Sequence, residues 1–173
     1  MNKRQAGAEL RRLLKIELER IEKWHRRFLS MAELVGSWSK DPSTQVGAVI
    51  VDTETRYVLA VGYNGFPRGV NDLPERYSER DIKYSIVVHA EVNALLSSHA
   101  TLTGATLYCS VGLPCPNCAG SIIQAGIKKV VIPSNPKQKP KKVKTGAVDL
   151  YALSQQMFEE AEVEVVEVEI LHG

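Results

Sequence analysis

Five short β-branched runs, spaced by helix-patterned stretches, set the tightest limit on how this chain can fold. The runs are VGAVIVD from Val46, YVLAVGYNG from Tyr57, GATLYCS from Gly104, KKVVIPS from Lys128 and VEVVEVEIL from Val163. Only the polar segment TETR separates the first two, which reads as a hairpin. The stretches HAEVNALLSSHA, PCPNCAGSIIQAGI and DLYALSQQMFEEA separate the later runs and read as helices. A parallel strand pair needs a long crossover, so strands joined through helices are predicted to be parallel neighbours, and the opening pair antiparallel. The predicted order is α-β-β-α-β-α-β-α-β. It corresponds to an α/β fold, a three-layer α/β/α sandwich around a mixed sheet of five strands.

The leading α element lies before the hairpin. No Gly or Pro interrupts the chain from Ala8 to Val35, and Leu14, Leu18, Ile21, Trp24, Phe28, Met31, Val35 and Trp38 recur in steps of three and four. That spacing predicts a helical stripe, with Gly36 able to interrupt it. Its Arg-, Lys- and Glu-rich first half reads either as an amphipathic helix lying on its own domain or as an extension that binds a partner. The chain divides accordingly into a helical extension, 1–22, and a single domain, 23–173, long enough to bury a sizeable core. Trp24 and Trp38 are predicted to lie in that core. The stretch from Gly65 to Tyr84 is read as a long polar loop, of a kind that is usually functional.

A formal charge of +2 does not call for a nucleic-acid partner. No run approaches the roughly 18 apolar residues of a membrane span. The polar start MNKRQAGAELRRLL lacks the apolar core of a secretory signal, so a cytoplasmic location is expected. There are three cysteines, Cys109, Cys115 and Cys118. An odd, small number argues against a disulfide framework, and Cys-x-x-Cys then reads as metal or redox chemistry. Cys109, on an apolar strand, reads as a small buried hydrophobe. No GxxxxGK[ST] phosphate loop occurs.

His89-Ala90-Glu91 is followed by Pro114-Cys115-Pro116-Asn117-Cys118. One imidazole and two thiolates supply three ligands, leaving the fourth position of a tetrahedral Zn2+ open to water, as catalytic sites require. His99 stands near the far end of the same helix, poorly placed to close the shell. Pro116 is tolerated only in a first helical turn, and Cys115 and Cys118, three apart, share a face there. Inside a helix His89 and Glu91 would diverge by about 200°, so they converge only at a helix tip. The pattern predicts two helix N-termini aimed at one Zn2+ per chain, their partial positive charge favouring thiolates. Zinc lowers the pKa of a bound water to about 7. Glu91, which is not a ligand, then carries the protons. H-x-E…P-C-x-x-C is an established signature of zinc-dependent deaminases.

Together KDPSTQVGAVIVD, GYNGFPRGV, KYSIVVHAEVNALL, GATLY and PCPNCAGSIIQAGIKKVVI resemble the deoxycytidylate deaminase family, from Trp24 to Pro133. The resemblance implies conversion of dCMP to dUMP with release of ammonia, feeding thymidylate synthesis. It implies His89, Cys115 and Cys118 as zinc ligands and Glu91 as the catalytic proton shuttle. It also implies Asn64 as a contact to the sugar and base of the substrate. An Asn amide offers both a donor and an acceptor, while Asn-Gly is equally a turn dipeptide. Ser43 and Thr44 fall where the family's loop approaches the nucleotide, and their hydroxyls suit either phosphate oxygens or turn capping. The family is typically oligomeric, and many members respond to dCTP and dTTP. A homo-oligomer is therefore implied, with Arg68, Asn71 and Asp72 as effector contacts and Arg76 and Arg80 close by. A solvated charged loop is the other reading of that segment.

There are two departures from the family pattern. Residues Met1 to Glu22 precede its usual start, and SNPKQKPKKVKTG replaces an acidic and aromatic segment. The lysines from Lys137 to Lys144 read as a solvated basic loop or a phosphate contact. Alternative activities are deamination of a base within RNA or DNA, or of a 5-modified dCMP. A third reading is an inactive, zinc-stabilised oligomerisation module, against which the presence of Glu91 argues.

Overall fold

A computed structural model describes residues 3–137, 144–145 and 148–170. Helix α1 (Lys3–Gly36) is one uninterrupted rod of 34 residues. It passes without a break through residues 22 and 23. Residues 8–21 are exposed, whereas Phe28, Leu29, Ala32 and Val35 are buried. Trp24 is half-buried and stacks on Phe28, with ring centroids 5.7 Å apart. Trp38 corrects the sequence reading: it is 51% exposed and meets Tyr63 edge-on. The helix ends at Gly36, so position 38 is no longer in phase with the buried stripe.

The remaining elements are β1 (Gly47–Val51), β2 (Val58–Tyr63), α2 (Pro74–Ser78), α3 (Arg80–Ile86), α4 (Ala90–Ser97), β3 (Thr106–Cys109), α5 (Pro116–Gln124), β4 (Lys129–Pro133), β5 (Lys144–Thr145), β6 (Val148–Asp149), α6 (Leu150–Glu160) and β7 (Glu164–Val168). The five-stranded sheet has the order β2-β1-β3-β4-β7, and β5 and β6 form a separate small ladder. β1 is antiparallel to both β2 and β3, while β3, β4 and β7 run parallel. The predicted mixed sandwich is present, with one difference. β2 and β3, joined through α4, are not neighbours, because β1 lies between them. Every residue of β1 is buried, whereas β2 alternates between buried and more exposed positions, so β2 takes the edge.

The two faces of β1 sort the core. Val49 and Val51 pack with Phe28, Leu29 and Val35 under α1. Ala48 and Ile50 pack with Ala94, Ile122 and Phe158 under α4, α5 and α6. The segment read as a polar loop instead contains α2 and α3. These helices span less than two turns, and of their residues only Lys83 is buried, so they leave no apolar periodicity to detect.

Two contacts hold the elements that carry the site. Gly62 lets α4 lie backbone-to-backbone on β2: a Cβ there would collide with the amide nitrogen of Ala94 and the carbonyl of Ala90. Lys83 then ties α3 to the loop before β1. Its Nζ lies 2.8 Å from Asp41 Oδ1, 2.7 Å from Asp41 Oδ2 and 2.7 Å from Ser43 Oγ. Lys83 and Asp41 are both buried. Asp41 Oδ1 also accepts the backbone N–H groups of Ser43 and Thr44, at 2.9 and 3.1 Å. Burial pushes the Asp41 carboxyl up, but hydrogen bonds from Lys83 and Ser43 outweigh it and hold the group below the usual carboxylate range.

Gly62→Ala is expected to lift α4 off β2, costing about 1–3 kcal/mol and weakening metal retention. Urea unfolding and metal analysis measure the two effects. Lys83→Met strands a buried carboxylate and is expected to cost about 3–5 kcal/mol, much of it recovered by adding Asp41→Asn. The pH response should also weaken. In the parent, the lowered pKa of Asp41 contributes stability above the ordinary carboxylate pKa, and this is lost as pH falls through the folded value. Without Lys83, burial of the carboxyl is opposed only by the hydrogen bonds from Ser43 and Thr44, so its pKa rises relative to the parent and less stability is lost on acidification. Urea midpoints of parent and variant at neutral and acidic pH read the difference.

Candidate active site

His89 is the N-cap of α4 and Cys115 the N-cap of α5, both with extended backbone. Pro116 opens α5, where its missing N–H costs nothing. The entry to α4 is pinned by a two-bond bridge: Gly65 N–H donates to the Val88 carbonyl at 3.1 Å, and Val88 N–H to the Gly65 carbonyl at 2.8 Å. Asn93 Nδ2 donates to the Tyr63 carbonyl at 2.8 Å from the next turn.

These two helix starts bring the predicted ligands together. His89 Nδ1 lies 3.5 Å from Cys115 Sγ and 3.3 Å from Cys118 Sγ, and all three donor atoms fall within 4.8 Å of one another. Two ligands on a tetrahedral zinc with bonds of about 2.0–2.3 Å sit about 3.5 Å apart, so the donor set fits that ion. His99 is exposed beyond the end of α4 and does not join the cluster. The hydrogen bond from Cys118 is the largest influence on the Cys115 thiol, which is lowered to about 4. The Cys118 thiol is raised, and His89 is raised chiefly by its hydrogen bond to Cys115.

Glu91 sits in the first turn of α4 and is buried. Burial raises its carboxyl above the usual range. Cys109 is fully buried, as the apolar strand predicted, and its Sγ lies 3.7 Å from Glu91 Oε1. Burial also pushes the Cys109 thiol up, so it keeps its proton and donates toward the carboxylate. That contact was not readable from the sequence, where the two residues stand on different elements.

Asn64 is buried, and its side chain serves the loop before β1. Oδ1 accepts from Val46 N–H at 2.8 Å, and Nδ2 donates to the Thr44 carbonyl at 2.9 Å, with Asp41 Oδ2 at 3.5 Å. Ser39 Oγ donates to the Asn64 carbonyl at 2.7 Å. Ser43 is exposed, yet its hydroxyl is engaged by Asp41 and Lys83, and Thr44 is half-buried. Asn64, Ser43 and Thr44 thus form one cluster, joined to the metal donors through α3 and the Gly65–Val88 bridge. Asp41 and Lys83, which organise the cluster, were missed. Their partnership spans 42 positions, so no local spacing signals it.

Arg68, Asn71 and Asp72 are exposed in the segment before α2. Asp72 accepts from Lys40 Nζ at 2.7 Å and from Tyr77 Oη at 2.8 Å, and Arg76 donates to the Asn71 carbonyl at 3.1 Å. Lys137 pairs with Glu33 at 3.0 Å. Lys139, Lys141 and Lys142 lie outside the described residues, and only the backbone of Lys144 is described. Among the described residues, no helix is long and apolar enough to cross a membrane.

Residues 22–134 match the family described as the cytidine and deoxycytidylate deaminase zinc-binding region. An uncharacterised deaminase of Aliivibrio fischeri is 48% identical over 145 residues, covering 84% of this chain and 93% of that protein. The deoxycytidylate deaminase of Mus musculus is 44% identical over 118 residues, which span 65% of each chain. Among solved structures, the dCMP deaminase of the cyanophage S-TIM5, in complex with dCMP and dUMP, superposes with a TM-score of 0.63 at 28% identity. That match covers 82% of this chain and 94% of the phage chain. With the matched region spanning both helix starts and the three donors between them, the chain belongs to the cytidine and deoxycytidylate deaminase zinc-binding family.

Proposed function

We propose that this chain hydrolytically deaminates a deoxycytidine mononucleotide, converting dCMP to dUMP and ammonia and so supplying a thymidylate precursor. The observation that carries the reading is the His89, Cys115 and Cys118 donor cluster at two helix N-termini, with the buried, non-ligating Glu91 on the same helix as His89. The mouse relative and the cyanophage structure support dCMP as the substrate.

His89 Nδ1 and the Cys115 and Cys118 thiolates would hold one Zn2+. When bound, the ion supplies the Lewis acid that makes water nucleophilic near neutral pH. Glu91 moves the protons. Its carboxylate takes one from the attacking water and passes it to the ring nitrogen, then takes the second from the hydroxyl so formed on the ring carbon and passes it to the departing amino group, which leaves as ammonia. Burial strengthens its hold on a proton between those steps. Cys109 donates toward Glu91 Oε1 and keeps the carboxyl oriented. Asn64, Ser43 and Thr44 form the sugar and phosphate end of the pocket. Asp41 and Lys83 act as positioning residues for that loop. Arg68, Asn71 and Asp72 are the effector contacts for dCTP or dTTP, residues 23–173 form the catalytic domain, and 1–22 an extension to it.

Glu91→Gln is expected to keep its zinc and lose about 100- to 10,000-fold in turnover. Ammonia release and metal content, measured on the same sample, test this, and normal turnover would refute the role of Glu91. An ammonia-release assay across dCMP, CMP, deoxycytidine, dCTP, 5-substituted dCMP and a cytidine-containing oligonucleotide tests the substrate, with and without dCTP and dTTP. dCMP is expected to be the best substrate. Faster turnover of the oligonucleotide, with steep salt dependence, would replace this reading with nucleic-acid editing.

A further inference from the structure

The stripe that docks α1 on the sheet does not stop where the sheet does. Trp24, Phe28, Ala32 and Val35 face the domain, and continuing backwards in steps of three and four the same stripe holds Ile21, Leu18, Leu14 and Leu10. These four are 39%, 65%, 55% and 60% exposed, and Leu13 beside them is 52% exposed. Residues 9–22 taken alone are a helix of a length that is marginal in water without tertiary packing. Such an apolar face, continuous with a buried one, calls for a cover.

The charges say what covers it. Residues 9–15 carry Arg11, Arg12 and Lys15 against Glu9, a net charge of +2; residues 16–22 carry Glu17, Glu19 and Glu22 against Arg20, a net charge of −2. The segment is therefore its own electrostatic complement when reversed. Its ion pairs within residues 9–20 are short-range and exposed, such as Arg12 with Glu9 at 3.7 Å and Lys15 with Glu19 at 4.0 Å. Exposed pairs of that kind contribute little and can be exchanged.

We infer that residues 9–22 of α1 form an antiparallel two-helix interface with the same segment of a second copy of this chain. Leu10 packs against Ile21 of the partner subunit, and Leu14 against Leu18 of the partner subunit. The basic seven residues lie along the acidic seven. A parallel arrangement would set like charge over like charge at every turn. The antiparallel one also places the two domains at opposite ends of the pair, because burial against the sheet begins beyond residue 22.

Light scattering on the full-length chain tests this. The parent is expected at an even multiple of the 19.2 kDa chain. Leu14→Glu with Leu18→Glu should halve that mass and leave zinc content and turnover per chain unchanged, since both residues are exposed among the described residues. Arg11→Glu with Arg12→Glu should also halve it, as should Glu19→Arg with Glu22→Arg. The four charge changes combined should restore the parent mass. A parent of monomer mass, a leucine double variant of parent mass, or a fourfold charge variant that stays at half mass would each overturn the inference.

Discussion

The close approach of α4 to β2 is the contact on which the candidate site depends. His89 and Glu91 stand at the start of α4, and their position is set by how near that helix can lie to the sheet edge. Gly62 has no side chain to hold it away. The Gly65–Val88 bridge then fixes the chain one residue before His89, on the same side as the residue after Asn64. α5 supplies the other half of the site from the end of β3, so two N-termini face one set of donors. Their partial charges stabilise thiolates at that point more than anywhere else on either helix.

Buried ionisable groups surround this geometry, and each is compensated differently. Asp41 is buried with a cation and stays ionised. Glu91 is buried beside a thiol and holds a proton more readily. The first arrangement suits a residue that shapes a loop, and the second a residue that exchanges protons. Both belong to the half of the fold that carries the candidate site, whereas the opposite face under α1 is packed with Phe28, Leu29, Val35, Val49 and Val131.

Helix α1 divides into two physical regimes. Its second half is held by Phe28, Leu29 and Val35 against the sheet, and Arg27 and Arg56 stack over the Trp24 ring at 4.7 and 5.0 Å from its centre. Its first half repeats the same apolar period on a face that stays exposed among the described residues. A periodic pattern reports that a face is apolar. It does not report whether the face is covered by the same chain or by another.

Much of the fold and the site was legible because it is local. Strand and helix runs announce themselves by period two and period 3.6, and the metal donors by their spacing around helix starts, where Pro116 and the His-x-Glu step leave few conformations. The sequence by itself thus determined the sandwich, its five strands and the His89, Cys115 and Cys118 constellation. Tertiary structure alone decided that β1 separates β2 from β3, that Trp38 lies outside the core, and that short helices occupy the Gly65–Tyr84 segment. It alone paired Asp41 with Lys83 and Cys109 with Glu91. Each of these rests on contacts between residues distant in the chain, or on elements too short to show a period, and their energies come from burial and Coulomb attraction that no local pattern encodes.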